Sequence, residues 1–395
     1  MKVIVIFDSL GPYHVARLQA LAPLCNLLAI EVYMASHDYA WLSAGSVPFQ
    51  KITLDDVAEV GVDPLRALRK TLSTEQPDII FVPGWSSRFA LEALAWARLR
   101  GVPAVVMSDS QMHDNRRSTW SETLKSWIVK RFSGALVAGS PHVKYARALG
   151  VPSQLIRTGY DVVDNDHFAA GAARARAEPA RYWQEFNLPK RYFLVSARFI
   201  QKKNLPWLLR TFQSYRQSCP NAAPWDLVLM GDGPMRPDLE RQILDSGLQG
   251  AVHLLGFRQY EETPIVFGLA DALILPSTSE QWGLVVNEAM ATGLPALVSD
   301  RCGSAPDLVI EGKTGFTFNP EDEGALLSLM LKLSSLPEML RERMGIAAKV
   351  RIGAFSPEFF ASNAMDLAQQ VIKGSHQPSI DGFAIRLIAR TRGRN

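Results

Sequence analysis

Residues 272–300 read ALILPSTSEQWGLVVNEAMATGLPALVSD. The apolar run 272–275 has the length and composition of a buried strand, and Pro276-Ser277-Thr278-Ser279 ends it. The segment after Trp282-Gly283 reads as a helix, and a second apolar run follows at 296–299. Strand, loop, helix and strand in that order make a βα unit of a parallel sheet. The first backbone N–H groups of the helix lack intrahelical partners and point into the crevice at the strand's carboxyl end, which makes an anion site. Glu280 and Glu288 bracket that N–H cluster, one on the loop and the other about a turn and a half inside the helix. A polyol attached to a phosphate suits the bracket. Taken singly, each glutamate also reads as a solvated surface residue.

The same alternation runs through the chain. Apolar runs at 3–7, 28–33, 79–82, 104–107 and 135–138 form a first series; 192–196, 227–230, 252–255, 272–275 and 296–299 form a second, with helical patterns between them. Two series predict two Rossmann-like doubly wound α/β domains. At 395 residues the chain exceeds the usual size of one core, which agrees. The predicted boundaries are 1–168 for the first domain, a linker at 169–189, and 190–356 for the second. A helix at 357–374 is read as crossing back toward the first domain, and 375–395 as a basic tail.

Bulk composition, 47% hydrophobic and 21% charged, is that of a soluble globular enzyme. Cys25, Cys219 and Cys302 are odd in number and far apart, which argues against a disulfide framework or a structural zinc site and for a reducing cytoplasm. The opening MKVIVIFDSLGPYH lacks the apolar core of a signal peptide, and no run is long enough to span a bilayer. The net charge of +3 is concentrated at the end, where Arg386, Arg390, Arg392 and Arg394 face only Asp381. With Ile380, Phe383, Ile385, Leu387 and Ile388 interleaved, that tail reads either as a frayed terminus or as a weak amphipathic segment on an anionic membrane. A balanced remainder without a recognised module excludes nucleic acid as a partner.

Other loops carry further candidates. The first βα turn, Asp8-Ser9-Leu10-Gly11-Pro12-Tyr13-His14, has one glycine where a dinucleotide fingerprint needs three. Gly11 would allow close backbone approach to a ligand and His14 would face the crevice; a surface or core histidine is the plainer reading. Ser196–Asn204, SARFIQKKN, sets Arg198, Lys202 and Lys203 after a strand, where a diphosphate would use the cations. Gly231-Asp232-Gly233-Pro234 is an open turn, and Gly256-Phe257-Arg258 offers an aromatic and a backbone edge to a base, although Phe257 reads equally as core. Arg116, Arg117, Lys125, Lys130 and Arg131 accompany an apolar stripe of Trp120, Leu124, Trp127 and Ile128. The stripe reads as core, and the cations as a surface for a phosphorylated lipid acceptor or an anionic leaflet.

In their order, SARFIQKKN, LVLMGDGP, VHLLGF and SEQWGLVVNEAMATGLP resemble the donor domain of retaining GT-B-fold glycosyltransferases of family 4, the glycosyl transferases group 1 set. The resemblance covers about 192–322, with CGSAPD and EGKTG continuing it. It implies two domains facing a central cleft, an acceptor between them, a nucleotide-diphosphate sugar as donor substrate, and neither metal nor other cofactor. Arg198 and Lys203 would then contact the diphosphate, Glu280 the sugar hydroxyls and Glu288 the ribose. Backbone groups of Gly283, Leu284 and Val285 would hold the phosphates. The first half departs from the family: Ser108-Asp109-Ser110 stands where many members carry a histidine, so Asp109 or His113 is expected to orient acceptor or sugar. The expected activity is sugar transfer to a saccharide or lipid-linked acceptor, a cell-surface polysaccharide precursor preferred, in the cytoplasm or peripheral to the inner face of the membrane. A nucleotide-sugar epimerase or phosphorylase of the same fold, and a non-catalytic sugar-nucleotide-binding protein, are the alternatives.

Overall fold

The computed structural model describes residues 1–33, 47–54, 63–114, 118–219, 224–374 and 376–391. Its chain divides into two compact units, Met1–Val162 with Ser356–Asn395, and Val163–Phe355.

The first unit is built on β1 (Lys2–Phe7), β2 (Asn26–Glu31), β3 (Gln50–Thr53), β4 (Ile79–Pro83), β5 (Ala104–Ser108), β6 (Gly134–Val137) and β7 (Ile156–Arg157). They form a parallel sheet in the order β3-β2-β1-β4-β5-β6-β7. In the second unit, β8 (Tyr192–Ser196), β9 (Asp226–Met230), β10 (Val252–Gly256), β11 (Ala272–Leu275), β12 (Ala296–Ser299) and β13 (Gly315–Phe318) run parallel in the order β10-β9-β8-β11-β12-β13. Continuous apolar sequence explains the central strands: Val3, Ile4, Val5 and Ile6 are fully buried, as are Phe193, Leu194 and Val195, because helices cover both faces. Each order reverses beside its first strand, β1 lying between β2 and β4 and β8 between β9 and β11. Ligands of open α/β sheets bind outside the carboxyl ends of the strands at such a reversal. That rule selects the loops after β1 and β4 in one unit and after β8 and β11 in the other.

Most of segment 169–189, read from sequence as a linker, lies in helices Asn165–Ala177 and Pro179–Glu185 of the second unit. Asp164 caps the first by accepting from the His167 N–H at 2.9 Å. Gly171 and Ala172 allow close packing on helix Thr263–Leu269: a Cβ on Gly268 would lie 2.6 Å from Ala172 Cα, and one on Gly171 would collide with Pro264 Cβ. Helix Pro357–Ile372 belongs to the first unit, where Asn363 Nδ2 donates to Thr158 O at 2.9 Å and Asp366 pairs with Arg157 at 2.6 Å.

Two surface expectations are corrected. Trp120 is 87% exposed and Leu124 is also exposed, so only the inner edge of that stripe, Ile128 with half-buried Trp127, meets the core. The basic tail is not frayed over 381–391: it forms helix Asp381–Thr391, docked on helix Arg88–Arg100 through Ile385 and Ala389. Arg116, Arg117, Arg392 and Arg394 lie outside the described residues. Among the described residues, no helix is long and apolar enough to cross a membrane.

Candidate functional site

At the reversal point of the second sheet, the loop after β8 and the loop after β11 are joined by backbone and by charge. The Thr278 N–H donates to Lys202 O at 2.9 Å, and Asn204, in the left-handed region at φ 58°, turns the chain into helix Leu205–Ser218 while its amide holds Pro320 O at 3.1 Å. This brings the Lys203 ammonium onto Glu280 Oε2, a carboxylate oxygen that also accepts from Ser277 Oγ at 3.1 Å. Ser277 is fully buried and Glu280 only 9% exposed. On its far side, Glu280 is anchored through its backbone. Its N–H reaches Arg301 O at 3.3 Å, and its carbonyl accepts from Gly303 N–H at 3.0 Å. The loop after β12 therefore fixes the Glu280 backbone, while Lys203 and Ser277 hold its carboxylate.

Gly283 follows at φ 88°, a left-handed conformation that leads directly into helix Leu284–Thr292. A Cβ there would lie 2.8 Å from Cys302 Sγ and 3.2 Å from Glu280 Cγ. Glycine is required on both counts. The helix has no side-chain cap at its N-terminus, which leaves the first-turn N–H groups around Leu284 and Val285 directed at the loop. Trp282 Nε1–H donates to Asn287 Oδ1 at 2.9 Å, pinning the loop to the helix, and the Cys302 thiol donates to Trp282 O at 2.9 Å. Burial, with Glu280 beside it, pushes that thiol up to about 12, so it stays protonated and acts as a donor. Glu288 is 6% exposed on the same helix.

The remaining loops of this unit converge by close backbone approach. Gly231 and Gly233 both have positive φ; a Cβ on Gly231 would collide with Ala197 O, and one on Gly233 would lie 2.7 Å from Phe199 O. The half-buried side chain of Arg198 stands between those two residues in sequence. Phe257 is half-buried after β10. Arg258 is engaged structurally, its guanidinium 5.4 Å over the Phe186 ring and 3.6 Å from Glu262.

Sequence reasoning passed over Ser277 and Tyr260. The Tyr260 ring stacks on His167 at 4.1 Å, and burial with the charges of Asp164, Glu288 and Glu261 raises its hydroxyl well above the usual range. A serine in a Pro-Ser-Thr-Ser loop and a tyrosine four residues past Gly256 carry no pattern that singles them out; tertiary placement does.

In the first unit, His14 and Gly11 serve each other. The Gly11 N–H donates to His14 Nδ1 at 3.2 Å at the start of helix Pro12–Leu21, and the imidazole packs on Phe7 at 4.2 Å between centroids. Burial and nearby Arg17 push the imidazole down to about 3, which leaves it neutral with its proton on Nε2. Gly11 has an ordinary φ of −81°, so its backbone does not require glycine. Glu31, at the end of β2 where a dinucleotide's ribose is usually bound, accepts from Leu10 N–H at 2.7 Å and Thr53 Oγ1 at 3.2 Å and pairs with Lys51 at 3.2 Å.

Asp109 lies directly after β5, half-buried; His113 is on an exposed turn. Burial first, then the charges of Asp161 and Asp114, push the Asp109 carboxyl up to about 7 against the opposing pull of Arg17. Arg17, missed in the sequence, is almost fully buried: its Nη2 pairs with Asp161 at 3.2 Å, its Nε donates to Val162 O at 3.2 Å, and it lies 5.0 Å over the Tyr160 ring.

Two doubly wound Rossmann-like sheets in one chain are the GT-B architecture. Residues 180–351, which include most of the second unit, match the family model described as glycosyl transferases group 1. The chain is 39% identical over 117 residues to a sulfoquinovosyl transferase of Arabidopsis thaliana, covering 29% of this chain and 21% of that protein. It is 30% identical over 215 residues to a GDP-mannose-dependent alpha-(1-6)-phosphatidylinositol monomannoside mannosyltransferase of Mycolicibacterium smegmatis, covering 52% and 53%. The chain thus spans about half or less of the length of these two curated relatives. The fold is shared with Anabaena HepE in complex with UDP, at a TM-score of 0.70 and 18% identity, over 94% of this chain and all of that one.

Proposed function

We propose that this chain is a retaining glycosyltransferase that moves a sugar from a nucleotide-diphosphate sugar to a lipid-linked or cell-surface polysaccharide precursor, in the cytoplasm beside the inner face of the membrane. The observation that carries the reading is the partly buried Lys203–Glu280 pair, set at the reversal point of the second sheet beside the uncapped helix that Gly283 opens. An ammonium has three donors, so Lys203 can hold Glu280 and a phosphate oxygen together. In this reading the second unit takes the donor. Arg198, Lys203 and the N–H groups near Gly283, Leu284 and Val285 neutralise the departing diphosphate, with Gly231 and Gly233 giving it room. Glu280 accepts from the sugar hydroxyls, Glu288 from the ribose, and Phe257 lies along the base. The first unit takes the acceptor, with Asp109 or His113 orienting it; the raised carboxyl of Asp109 lets it act as a hydrogen-bond donor or acceptor near neutrality.

The bond from the anomeric carbon to the diphosphate oxygen breaks, and its electron pair leaves with the diphosphate. The acceptor oxygen bonds to the same face of that carbon while its proton passes to the departing phosphate oxygen. Catalysis is then mainly electrostatic, through groups already fixed before the charge develops. The lipid acceptor is supported by the mycobacterial relative, whose name specifies a phosphatidylinositol monomannoside. The diphosphate donor is supported by the UDP complex of the Anabaena protein.

Incubation with UDP-glucose, GDP-mannose and ADP-glucose, with and without a lipid extract, and mass spectrometry of the products tests this. Release of nucleoside diphosphate that depends on the extract is the expected result. A changed sugar still attached to its nucleotide would instead identify an epimerase, and no turnover with retained binding would identify a sugar-nucleotide-binding protein.

A further inference from the structure

Helix Asp381–Thr391 has two apolar faces. Gly382, Ile385 and Ala389 occupy one of them, buried against helix Arg88–Arg100 so closely that a Cβ on Gly382 would collide with Leu99 and Ala95. The opposite face carries Phe383 and Leu387, each 64% exposed, preceded by Ile380 at 82%. Spacings of three and four residues put these side chains on one stripe.

Charge around this helix is unbalanced. Glu92 is shared by Arg69 at 3.4 Å and Arg386 at 2.8 Å, and Asp381 is shared by Arg98 at 3.9 Å and Arg131 at 3.5 Å. Two guanidinium groups per carboxylate leave a surplus of positive charge, and exposed Arg390 on the same helix adds to it. An exposed apolar stripe among surplus arginines is the chemistry of a helix lying in the interface of an anionic bilayer. Pairing with a second copy of the chain is disfavoured, because a two-fold contact would set the same cationic surround against itself.

We propose that the outward face of this C-terminal helix docks on an anionic bilayer, with Ile380, Phe383 and Leu387 entering the headgroup region and the arginines meeting lipid phosphates. The proposal deepens the membrane-side function and rests on it for the acceptor, but lipid binding is read without turnover.

Sedimentation of the purified full chain with vesicles of phosphatidylcholine alone, or of phosphatidylcholine with phosphatidylglycerol, tests it. The wild type is expected to sediment with the anionic vesicles only, and to be released by high salt. The double variant Phe383→Ser/Leu387→Ser should lose at least about tenfold in partitioning, and Arg390→Glu a smaller factor. Ile346→Ser/Val350→Ser, on an equally exposed apolar pair of helix Glu338–Ile352, should bind as the wild type does. Wild type that stays in the supernatant, or a Phe383/Leu387 variant that binds undiminished, overturns the proposal. A stripe-dependent dimer by light scattering without vesicle binding overturns it in favour of self-association. Nucleotide-induced thermal shifts of the same variants report separately on the donor site, so the two readings can fail independently.

Discussion

Lys203 and Glu280, 77 residues apart in sequence, form a largely but not fully buried ion pair that joins the loop after β8 to the loop after β11. The pair closes the reversal point of the second sheet, and Ser277 supplies a further donor to the same carboxylate. Breaking such a pair from one side leaves an uncompensated charge, whereas replacing both partners need not. Lys203→Met should therefore destabilise the second unit by about 2–4 kcal/mol, and Lys203→Met/Glu280→Gln should recover most of the loss. Chemical unfolding of the wild type, Lys203→Met, Glu280→Gln and the double variant measures the coupling; additive losses would show that the pair contributes nothing as a pair.

Gly283→Ala places a methyl group against Cys302 Sγ and Glu280 Cγ at a residue with φ 88°. A loss of about 1–3 kcal/mol is expected from the backbone conformation and the contact together. Nucleotide affinity should fall with it, because the shift moves the first turn of the helix. Unfolding and nucleotide titration of the variant would contradict this if neither changed.

The Asp109 carboxyl is raised to about 7 in the folded chain, from an ordinary value near 3.8. The folded state therefore holds more protons than the unfolded state between those values, and this group's contribution to stability falls as pH rises from about 4 to about 7. His14 acts in the opposite sense: lowered to about 3 from 6.5, it favours the folded state increasingly as pH rises through that window. Asp109→Asn removes only the first effect. Relative to the wild type, the variant should gain on the order of 2–4 kcal/mol between pH 4 and pH 8. Thermal melts at pH 5 and pH 8 check the sign; a variant that loses ground at the higher pH would contradict it.

Ile385 is fully buried where the C-terminal helix docks, and Phe383 points away. Ile385→Ala should cost about 2–4 kcal/mol in the first unit, while Phe383→Ser stays within about 0.5 kcal/mol. Equal effects would mean that the helix does not dock through that face.

Much of the strand framework is legible in the sequence because central strands of a doubly wound sheet are apolar on both faces. The strands of β1, β4, β5, β8 and β11 stand out for that reason. β3, with sequence QKIT, is an edge strand with two exposed polar residues, and β7 has only two residues, so neither carries an apolar run. The small residues after Phe168 resemble a linker in composition, yet Gly171 and Ala172 are set by close approach to Pro264 and Gly268. In the candidate site, Glu280, Glu288, Arg198 and Lys203 are visible through residue type and spacing. Ser277, Arg17 and Tyr260 are not, because their partners are brought to them by the fold. The reverse holds for Trp120: helical spacing predicts burial, but among the described residues the side of the helix that carries it meets no partner element.

The donor site is tested most directly by thermal unfolding of the wild type and of Arg198→Ala and Glu288→Ala with saturating UDP, GDP, ADP and CMP. A ligand at about a hundred times its dissociation constant stabilises by roughly 2.7 kcal/mol, which appears as a shift of several degrees. The account predicts that one diphosphate shifts the wild type and that both variants, folded as before, respond weakly or not at all. No shift with any nucleotide, or an undiminished shift in both variants, would contradict it.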